Sequence, residues 1–416
     1  MSTNPRGHCF ISYRRVPHHR VTEAARVRDA LRDRGVPTWR DLDNLAPRPT
    51  EEELVRTLQD SNTAAAVMLI CNEVSGSNMI RKVEAPEIFA RHEKNDGFFV
   101  KPVLIGLGYD DANDALDAPA GFQDLGDWNL HRLDSDTLEQ ADAEHIARTV
   151  LAERLKAITA AGPPDALRLG LFTRRPDNSL QFDLRHDFTP YFDGRTAAPG
   201  AIGKIERALL DTASAVAASD APNTIVCEGF ASLPLAVLFG AIFSPLAAFK
   251  LIWRQALAGC DAQDWSLAAG AGDMKLNVKT VLGDLDSEAL ILGLGVNANI
   301  EPAVNDYLRS ENVKPRAYVY VEPEGGPIRQ GVSLSPQDGL ALALEAINAL
   351  HNLKDQLRLR TPEVHIFLAC PLAMGMLIGQ KLNTFSTCYL YEHVSHMNPP
   401  YMRFHSFNPS AFSYHG

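Results

Sequence analysis

Residues 64–71 read Ala-Ala-Ala-Val-Met-Leu-Ile-Cys, an unbroken apolar run of strand length. Such a run is typical of a central strand in a parallel sheet, which is buried on both faces. Shorter strand-like segments and helical patterns alternate around it. The strand-like segments are residues 9–13, 36–39 and 98–107, and the helical patterns are residues 22–34, 51–60 and 88–92. This alternation predicts an α/β fold with a doubly wound parallel sheet, whose ligands bind beyond the carboxyl ends of the strands.

The composition is that of a globular protein. The chain has 416 residues, of which 45% are hydrophobic and 22% are charged, and its net charge is −11. A protein that binds bulk nucleic acid is usually basic, so an anionic ligand must find a local positive pocket here. No secretion signal and no membrane-spanning segment is recognisable, and six scattered cysteines indicate reduced thiols. We therefore predict a cytoplasmic protein with no membrane partner.

The chain is long enough for two or more domains. Gly162-Pro163-Pro164 follows a long helical pattern at residues 136–160 and predicts a boundary. We expect a first domain over residues 1–160, with a core at 7–107, and a second over residues 165–416.

The second domain contains an internal sequence repeat. A strand, a Pro-Leu-Ala helix start and a second strand occur at residues 224–253 and again at residues 363–391, with Pro234 and Pro371 opening the two helices. The repeat predicts two similar α/β halves, about 165–285 and 286–416, with a shared pocket between them. A chance recurrence of this common pattern is the alternative.

Three segments of the first domain resemble the three boxes of the TIR family. They are Phe10-Ile11-Ser12-Tyr13, the strand-to-loop turn from Val36 to Asp41, and the turn Ser75–Asn78 that leads to Glu84. The resemblance implies a flavodoxin-like fold and cleavage of the nicotinamide–ribose bond of NAD+, with Glu84 as the catalytic glutamate. Ile80 departs from the family pattern, where many members carry tryptophan.

A carboxylate suits this chemistry, because the ribose develops oxocarbenium character as in glycoside hydrolysis. Pro86 either lies in the first turn of a helix that begins beside Glu84 or kinks a helix that begins near Ser77. We predict that residues around the strand ends hold the NAD+ substrate; each also has a plain structural explanation in core packing or solvation. These residues are Phe10, Ser12, Tyr13, Arg14, Trp39 and Asp41.

The second domain resembles the SAVED family over roughly residues 165–405, on the segment Ile366–Pro371, the helix with Gly375 and Gly379, and Tyr389–Glu392. That family is similar to two fused CARF domains and binds cyclic oligonucleotides. The resemblance implies a sensor whose ligand, a cyclic tri-adenylate, meets helix starts and aromatic side chains at strand ends. The predicted contacts are Lys204, Ser232, Pro234, Trp253, Arg254, Cys370, Pro371 and Tyr391.

A TIR domain joined to a SAVED domain resembles effectors of bacterial antiphage CBASS signalling. The combination implies an NAD+ hydrolase that is activated when the cyclic oligonucleotide joins subunits head to tail into a filament. We expect the loop at residues 41–50, with Leu45, to form that contact. No metal or cofactor is implied. Two alternatives remain: a TIR scaffold that catalyses nothing, and a TIR cyclase that converts NAD+ into a signalling product.

Overall fold

The computed structural model describes residues 3–44, 50–117, 125, 128, 130–175, 181–257, 260–328 and 333–412. The chain divides into two compact units. The first unit holds residues 1–165, 178–187 and 218–222, and the second holds residues 166–177, 188–217 and 223–416. The first unit thus also takes up two short later segments, and the second unit begins at residue 166.

Strands and helices are numbered in chain order. The strands are β1 (His8–Ser12), β2 (Thr38–Trp39), β3 (Thr63–Ile70), β4 (Phe99–Ile105), β5 (His131–Leu133), β6 (Leu167–Phe172), β7 (Leu184–Asp187), β8 (Phe192–Asp193), β9 (Thr196–Ala197), β10 (Thr224–Phe230), β11 (Lys250–Leu257), β12 (Cys260–Ser266), β13 (Leu276–Leu282), β14 (Ala289–Gly295), β15 (Ala317–Pro323), β16 (Glu363–Ala369), β17 (Thr387–His393) and β18 (Tyr401–Phe407). The helices are α1 (His18–Asp33), α2 (Asp41–Asn44), α3 (Thr50–Gln59), α4 (Ala85–His92), α5 (Tyr109–Leu116), α6 (Gln140–Ala160), α7 (Ala201–Ala217), α8 (Leu233–Ile242), α9 (Glu301–Ser310), α10 (Pro336–Gln356) and α11 (Leu372–Gly379).

The first unit is built on a parallel sheet of order β2-β1-β3-β4-β5. The apolar run at residues 64–71 supplies β3, whose eight residues are all buried, so the predicted central strand is confirmed. The strand order reverses between β1 and β3. In a doubly wound sheet, the carboxyl ends of these two strands open the crevice in which ligands bind.

The first unit contains two elements that the sequence pattern did not predict. The acidic segment 108–135, for which we identified neither a strand nor a helix, contains α5 and the short edge strand β5. Helix α1 also begins earlier than expected, at His18. It ends as predicted before Gly35, whose φ of +79° is a conformation that glycine adopts without strain.

Arg154 connects the late segment of the first unit to its core. The side chain lies on α6 and is 3% exposed. Its guanidinium donates hydrogen bonds to the carbonyl of Gly7 at 2.6 Å and to that of Asp183 at 2.9 Å. A buried guanidinium needs such acceptors, so this contact helps to hold residues 181–187 in the first unit.

The second unit contains two α/β halves. Strands β12-β11-β10-β6 form the sheet of the first half, and β13-β15-β14-β16-β17-β18 form that of the second half. In each half two parallel neighbours flank a helix that starts at a proline, and an antiparallel edge strand follows: β10, α8, β11 and β12 match β16, α11, β17 and β18 in order and direction. The predicted internal repeat is therefore present in the structure.

Helices α8 and α11 pack against each other through glycines. A Cβ atom on Gly240 would lie 2.1 Å from the carbonyl oxygen of Met376, and one on Gly379 would lie 2.0 Å from that of Val237. Real side chains never come this close, so only glycine permits the two helix backbones to touch. This contact brings the starts of the two helices, and the strand ends before them, to one place.

Candidate functional sites

Glu84 is placed by an unusual helical turn. Residues Ile80–Glu84 form a π-helical turn, in which the amide of Ala85 donates to the carbonyl of Ile80. Helix α4 follows directly, with Pro86 in its first turn. The helical backbone thus starts ahead of Pro86, and the widened turn accommodates a residue that lacks an N–H. Such single π-helical turns are frequent at functional sites.

The carboxyl group of Glu84 is buried against the end of β1. Its side chain is 6% exposed, and the hydroxyl of Ser12 donates a hydrogen bond to its Oε2 atom at 2.5 Å. Burial, and to a lesser extent the charge of Asp41, raise the pKa of Glu84 to about 7, although the Ser12 hydrogen bond and Arg15 lower it. The group is therefore poised to hold or release a proton near neutral pH.

Asp41 ties the start of α2 to the end of β1. Its carboxylate accepts hydrogen bonds from the hydroxyl of Tyr13 at 2.8 Å and from Nε of Arg15 at 2.6 Å. Burial, with the hydrogen bond to Asp41, raises the pKa of Tyr13, so this phenol stays neutral. Next to it, Nε of Arg14 is buried without a hydrogen-bond partner among the described residues.

Phe10 and Trp39 stack on each other across β1 and β2. Their ring centroids are 5.0 Å apart and the rings are inclined by 11°. Phe10 is 1% exposed, so the structure gives it a packing role in place of the expected direct contact with NAD+. Trp39 is half-buried and keeps part of its surface accessible. The carboxyl edge near β1 thus brings together Ser12, Tyr13, Asp41 and Glu84.

The second unit contains a cavity of about 570 Å³ at the carboxyl ends of its parallel strands. Its wall comes from the ends of β10, β16 and β17, from β11, from the residues that follow β6 and β14, from the turn between β8 and β9, and from the starts of α8 and α11. Both halves contribute, so the shared pocket that the internal repeat predicted is present.

Four predicted ligand contacts line this cavity: Pro234, Trp253, Cys370 and Tyr391. The two aromatic rings are nevertheless core residues, with Trp253 1% and Tyr391 5% exposed. One face of Tyr391 stacks on Phe367 at a centroid distance of 4.1 Å, and its hydroxyl hydrogen-bonds Nδ1 of His365 at 2.6 Å. The expected stacking of a base on these rings is therefore corrected to a packing role, because neither ring offers an open face.

The other four predicted contacts are not part of the cavity wall. Lys204 is exposed on α7. Arg254 forms two hydrogen bonds to Asp264 on β12, at 2.8 and 3.0 Å, which occupy its guanidinium. Ser232 is 1% exposed, and Pro371 caps α11. Ser232 and Pro371 follow strands, but that position alone does not bring their side chains to the cavity.

The structure adds cavity residues that the sequence pattern missed. Three arginines, Arg174, Arg175 and Arg195, line the wall together with the carboxyl group of Glu392. Arg174 and Arg175 follow the strand β6 directly, and a basic pair at the carboxyl end of a parallel strand is a signal that could have been read. Arg195 lies in the tight turn between β8 and β9, for which the sequence gives no comparable signal.

Phe230 is the exposed aromatic residue of the cavity wall. It is 51% exposed at the end of β10, and its carbonyl accepts a hydrogen bond from the amide of Thr173 at 3.0 Å. The preceding Gly229 has a φ of +145°, and a Cβ there would lie 2.1 Å from the carbonyl oxygen of Leu171. A fixed backbone thus presents an open ring to the cavity, beside the arginines.

Comparison with known proteins relates the C-terminal part of the chain to a family. Residues 205–404 match the SAVED family model. The family is described as the SMODS-associated and fused to various effectors sensor domain. The C-terminal part of the chain therefore carries a SAVED sensor domain, in agreement with the resemblance seen in the sequence. Curated proteins gave no match.

Solved structures similar to the chain include SAVED/CARF-domain receptors named Cap4. The Acinetobacter baumannii Cap4 receptor with the cyclic trinucleotide 3′3′3′-cAAA has a TM-score of 0.48 and 11% identity, over 88% of this chain and 86% of that chain. The same receptor with 2′3′3′-cAAA has a TM-score of 0.48 and 12% identity, with the same coverage. The Moraxella osloensis Cap4 receptor has a TM-score of 0.44 and 13% identity, again with the same coverage.

The described residues contain neither a metal-binding cluster nor a membrane-spanning helix. No group of three or more histidine, cysteine, aspartate or glutamate side chains in this part of the chain is arranged to hold a metal ion. Within the same residues, no helix combines the length and apolar character that crossing a bilayer requires.

Proposed function

We propose that the chain is a ligand-gated enzyme. The SAVED domain binds a cyclic oligonucleotide, and the first unit then hydrolyses the nicotinamide–ribose bond of NAD+ with Glu84 as the catalytic residue. Depletion of NAD+ in the cytoplasm of an infected cell is the proposed role, as the resemblance to antiphage CBASS effectors implies.

The observation that carries the enzymatic part is the buried pair of Glu84 and Ser12. It lies at the carboxyl end of β1, beside the point where the strand order 2-1-3-4-5 reverses. That order is found in flavodoxin-like sheets, the class that the TIR resemblance implies. The nicotinamide group of NAD+ already carries a positive charge and leaves as a neutral molecule without taking up a proton. The enzyme therefore has to stabilise the positive charge that develops on the ribose. A carboxylate in a cleft shielded from water meets that need.

Two observations support the sensor part. The SAVED model covers residues 205–404, and the cavity combines an exposed aromatic ring with arginines. Guanidinium groups bind phosphates, and an aromatic ring stacks on a base, so the wall fits a ligand that has both. Cyclic tri-adenylates, the ligands that the SAVED resemblance of the sequence implies, are the first probes.

The test is NAD+ consumption by the purified chain, followed by chromatography in the presence of cyclic di-, tri- and tetranucleotides. We expect one of these cyclic oligonucleotides to cause release of nicotinamide from NAD+, and we expect no release by the Glu84→Gln variant. Glu87→Gln is the matched control, because this partly exposed glutamate lies one helical turn further on and should leave the rate unchanged. The second product distinguishes hydrolase from cyclase: ADP-ribose for the first and its cyclic form for the second. Binding of a ring without any NAD+ consumption would instead favour the scaffold alternative.

Assembly is the last part of the proposal. We propose that the ligand joins copies of the chain head to tail, a contact that gives an open filament when its rotation does not close. Leu45, on which the sequence-based expectation rests, lies outside the described residues. Sedimentation velocity with and without the activating ring tests assembly, and Leu45→Asp should abolish it. Unchanged sedimentation on addition of an activating ring would exclude this part and leave the chemistry untouched.

A further inference from the structure

An ion-paired triad of Arg174, Arg195 and Glu392 lines the cavity of the second unit. Arg174 follows β6, Arg195 lies between β8 and β9, and Glu392 lies on β17. The Oε1 atom of Glu392 accepts from Arg174 at 3.4 Å and from Arg195 at 3.1 Å. Arg195 also donates to the carbonyl of His393 at 2.9 Å. Three separate segments of the second unit therefore meet at one carboxyl group.

The members of the triad differ in exposure. The side chain of Glu392 is 2% exposed, whereas those of Arg174 and Arg195 are 39% and 47% exposed. The arginines can thus reach a ligand directly, while the carboxylate lies behind them. Its second oxygen, Oε2, has no hydrogen-bond partner among the described residues. The charge of Glu392 is consequently compensated by the two arginines alone, and a buried carboxylate without compensation is costly.

We infer that Arg174 and Arg195 form the phosphate subsite of the cavity and that Glu392 is their counter-ion until the ligand arrives. The ligand phosphate takes over the two guanidinium groups, and Glu392 takes up one proton from the solvent as it loses them. No covalent bond to the ligand forms or breaks. The inference rests on the proposed sensor function and adds to it a phosphate site and a linked proton.

The surroundings of Glu392 favour this exchange. Burial already raises the pKa of Glu392, and the two arginines are the groups that lower it. The remaining ionisable groups near it do not replace them. Burial raises the pKa of Tyr401 on the neighbouring strand β18, with Glu392 among the causes, so this phenol stays neutral. Burial and Arg195 lower the pKa of His393, which leaves that ring uncharged near neutral pH. Loss of the arginines to a phosphate therefore pushes the proton onto Glu392.

His393 is the one competing acceptor that the wall provides, because it also lines the cavity and an approaching anion raises its pKa. The two acceptors are separable by substitution. Glu392→Gln keeps the shape of the side chain and removes its titration, and His393→Gln removes the titration of the ring. The inference requires that proton uptake depends on the first and survives the second.

The experiment is isothermal titration calorimetry of the full chain with 3′3′3′-cAAA, in two buffers of different ionisation enthalpy at the same pH. The difference in apparent enthalpy gives the number of protons taken up. Wild type is expected to take up a proton, up to one for each ring bound, and to lose affinity as pH rises. Glu392→Gln should bind without uptake, and His393→Gln should resemble wild type. Arg174→Ala and Arg195→Ala should each weaken binding by roughly 10- to 100-fold, as loss of a charge-assisted hydrogen bond does.

Arg195→Ala also gives an independent readout, because it removes one of the two groups that lower the pKa of Glu392, so a larger fraction of Glu392 is protonated before the ligand binds. Its residual binding should show reduced proton uptake, even if Glu392→Gln fails to fold. Binding with no proton uptake in wild type, or uptake retained in Glu392→Gln, would overturn the inference while leaving the sensor function in place. If no cyclic di-, tri- or tetranucleotide binds at all, the proposed sensor function fails, and the inference fails with it.

Discussion

Replacement of Glu84 by glutamine should stabilise the first unit, and more so at high pH. The pKa of Glu84 is about 7 in the folded chain, against an ordinary value of 4.5. As pH rises from 4.5 to 7 the unfolded chain loses this proton first, so stability falls across that window and the loss is complete above it. The difference between these two pKa values corresponds to about 3 kcal/mol in total, of which about 2 kcal/mol falls between pH 5.5 and pH 8.5.

Differential scanning calorimetry of the full chain at these two pH values measures the effect. Glutamine places a neutral amide beside Ser12 at both pH values. The Tm of Glu84→Gln minus that of the wild type, measured for the transition of the first unit, should therefore increase by about 4 to 8 °C from pH 5.5 to pH 8.5. Glu87→Gln, in a more exposed position, should show no such growth. An advantage of equal size at both pH values would refute the reasoning, because it would mean that Glu84 is ionised in the folded chain throughout.

Three further predictions concern single contacts. Ser12→Ala should raise the pKa of Glu84 by about one unit, because it removes the hydrogen bond that favours the charged form; a carbon-13 NMR titration of the carboxyl group measures this, and an unchanged midpoint would contradict it. Gly379→Ala should destabilise the second unit by at least 1 to 3 kcal/mol, as its Cβ would lie about 2 Å from a backbone oxygen of α8, whereas Gly203→Ala on the open side of α7 should be neutral or stabilising in the same denaturation experiment. Phe230→Ala should weaken binding of the activating ring by about 5- to 100-fold in a calorimetric titration, the loss expected for one stacked base; an unchanged dissociation constant would show that its ring does not contact the ligand.

Much of the fold was predictable from the sequence because burial leaves a readable pattern. The run 64–71 has the length and the apolar character of a strand that is covered on both faces. The two Pro-Leu-Ala helix starts indicated the internal repeat. The strand β5 was not predicted because it lacks such a pattern of burial. It has three residues in an acidic segment and one buried side chain, so it carries no periodic signal.

The site was predictable where chemistry is tied to a motif, and less so where geometry decides. Ser12 and Glu84 are 72 residues apart, and the sequence predicted both near the NAD+ substrate, Glu84 from the TIR resemblance and Ser12 from its place at the end of a strand. Trp253 and Tyr391 were expected at the cavity because they end strands, but their burial depends on packing that the sequence does not record. Arg195 was missed because its role depends on a two-stranded hairpin that folds back onto Glu392, across 197 residues of sequence.

The glycine contact between α8 and α11 also limits how the cavity can change its volume. Two backbones that already touch cannot be pressed closer, since protein interiors have little compressibility. A ligand that draws the opposite walls of the cavity together must therefore turn one half of the second unit about this line, like a lever on a fixed pivot. A small movement at the strand ends then becomes a larger one at the far edge of the second half, where β13 lies.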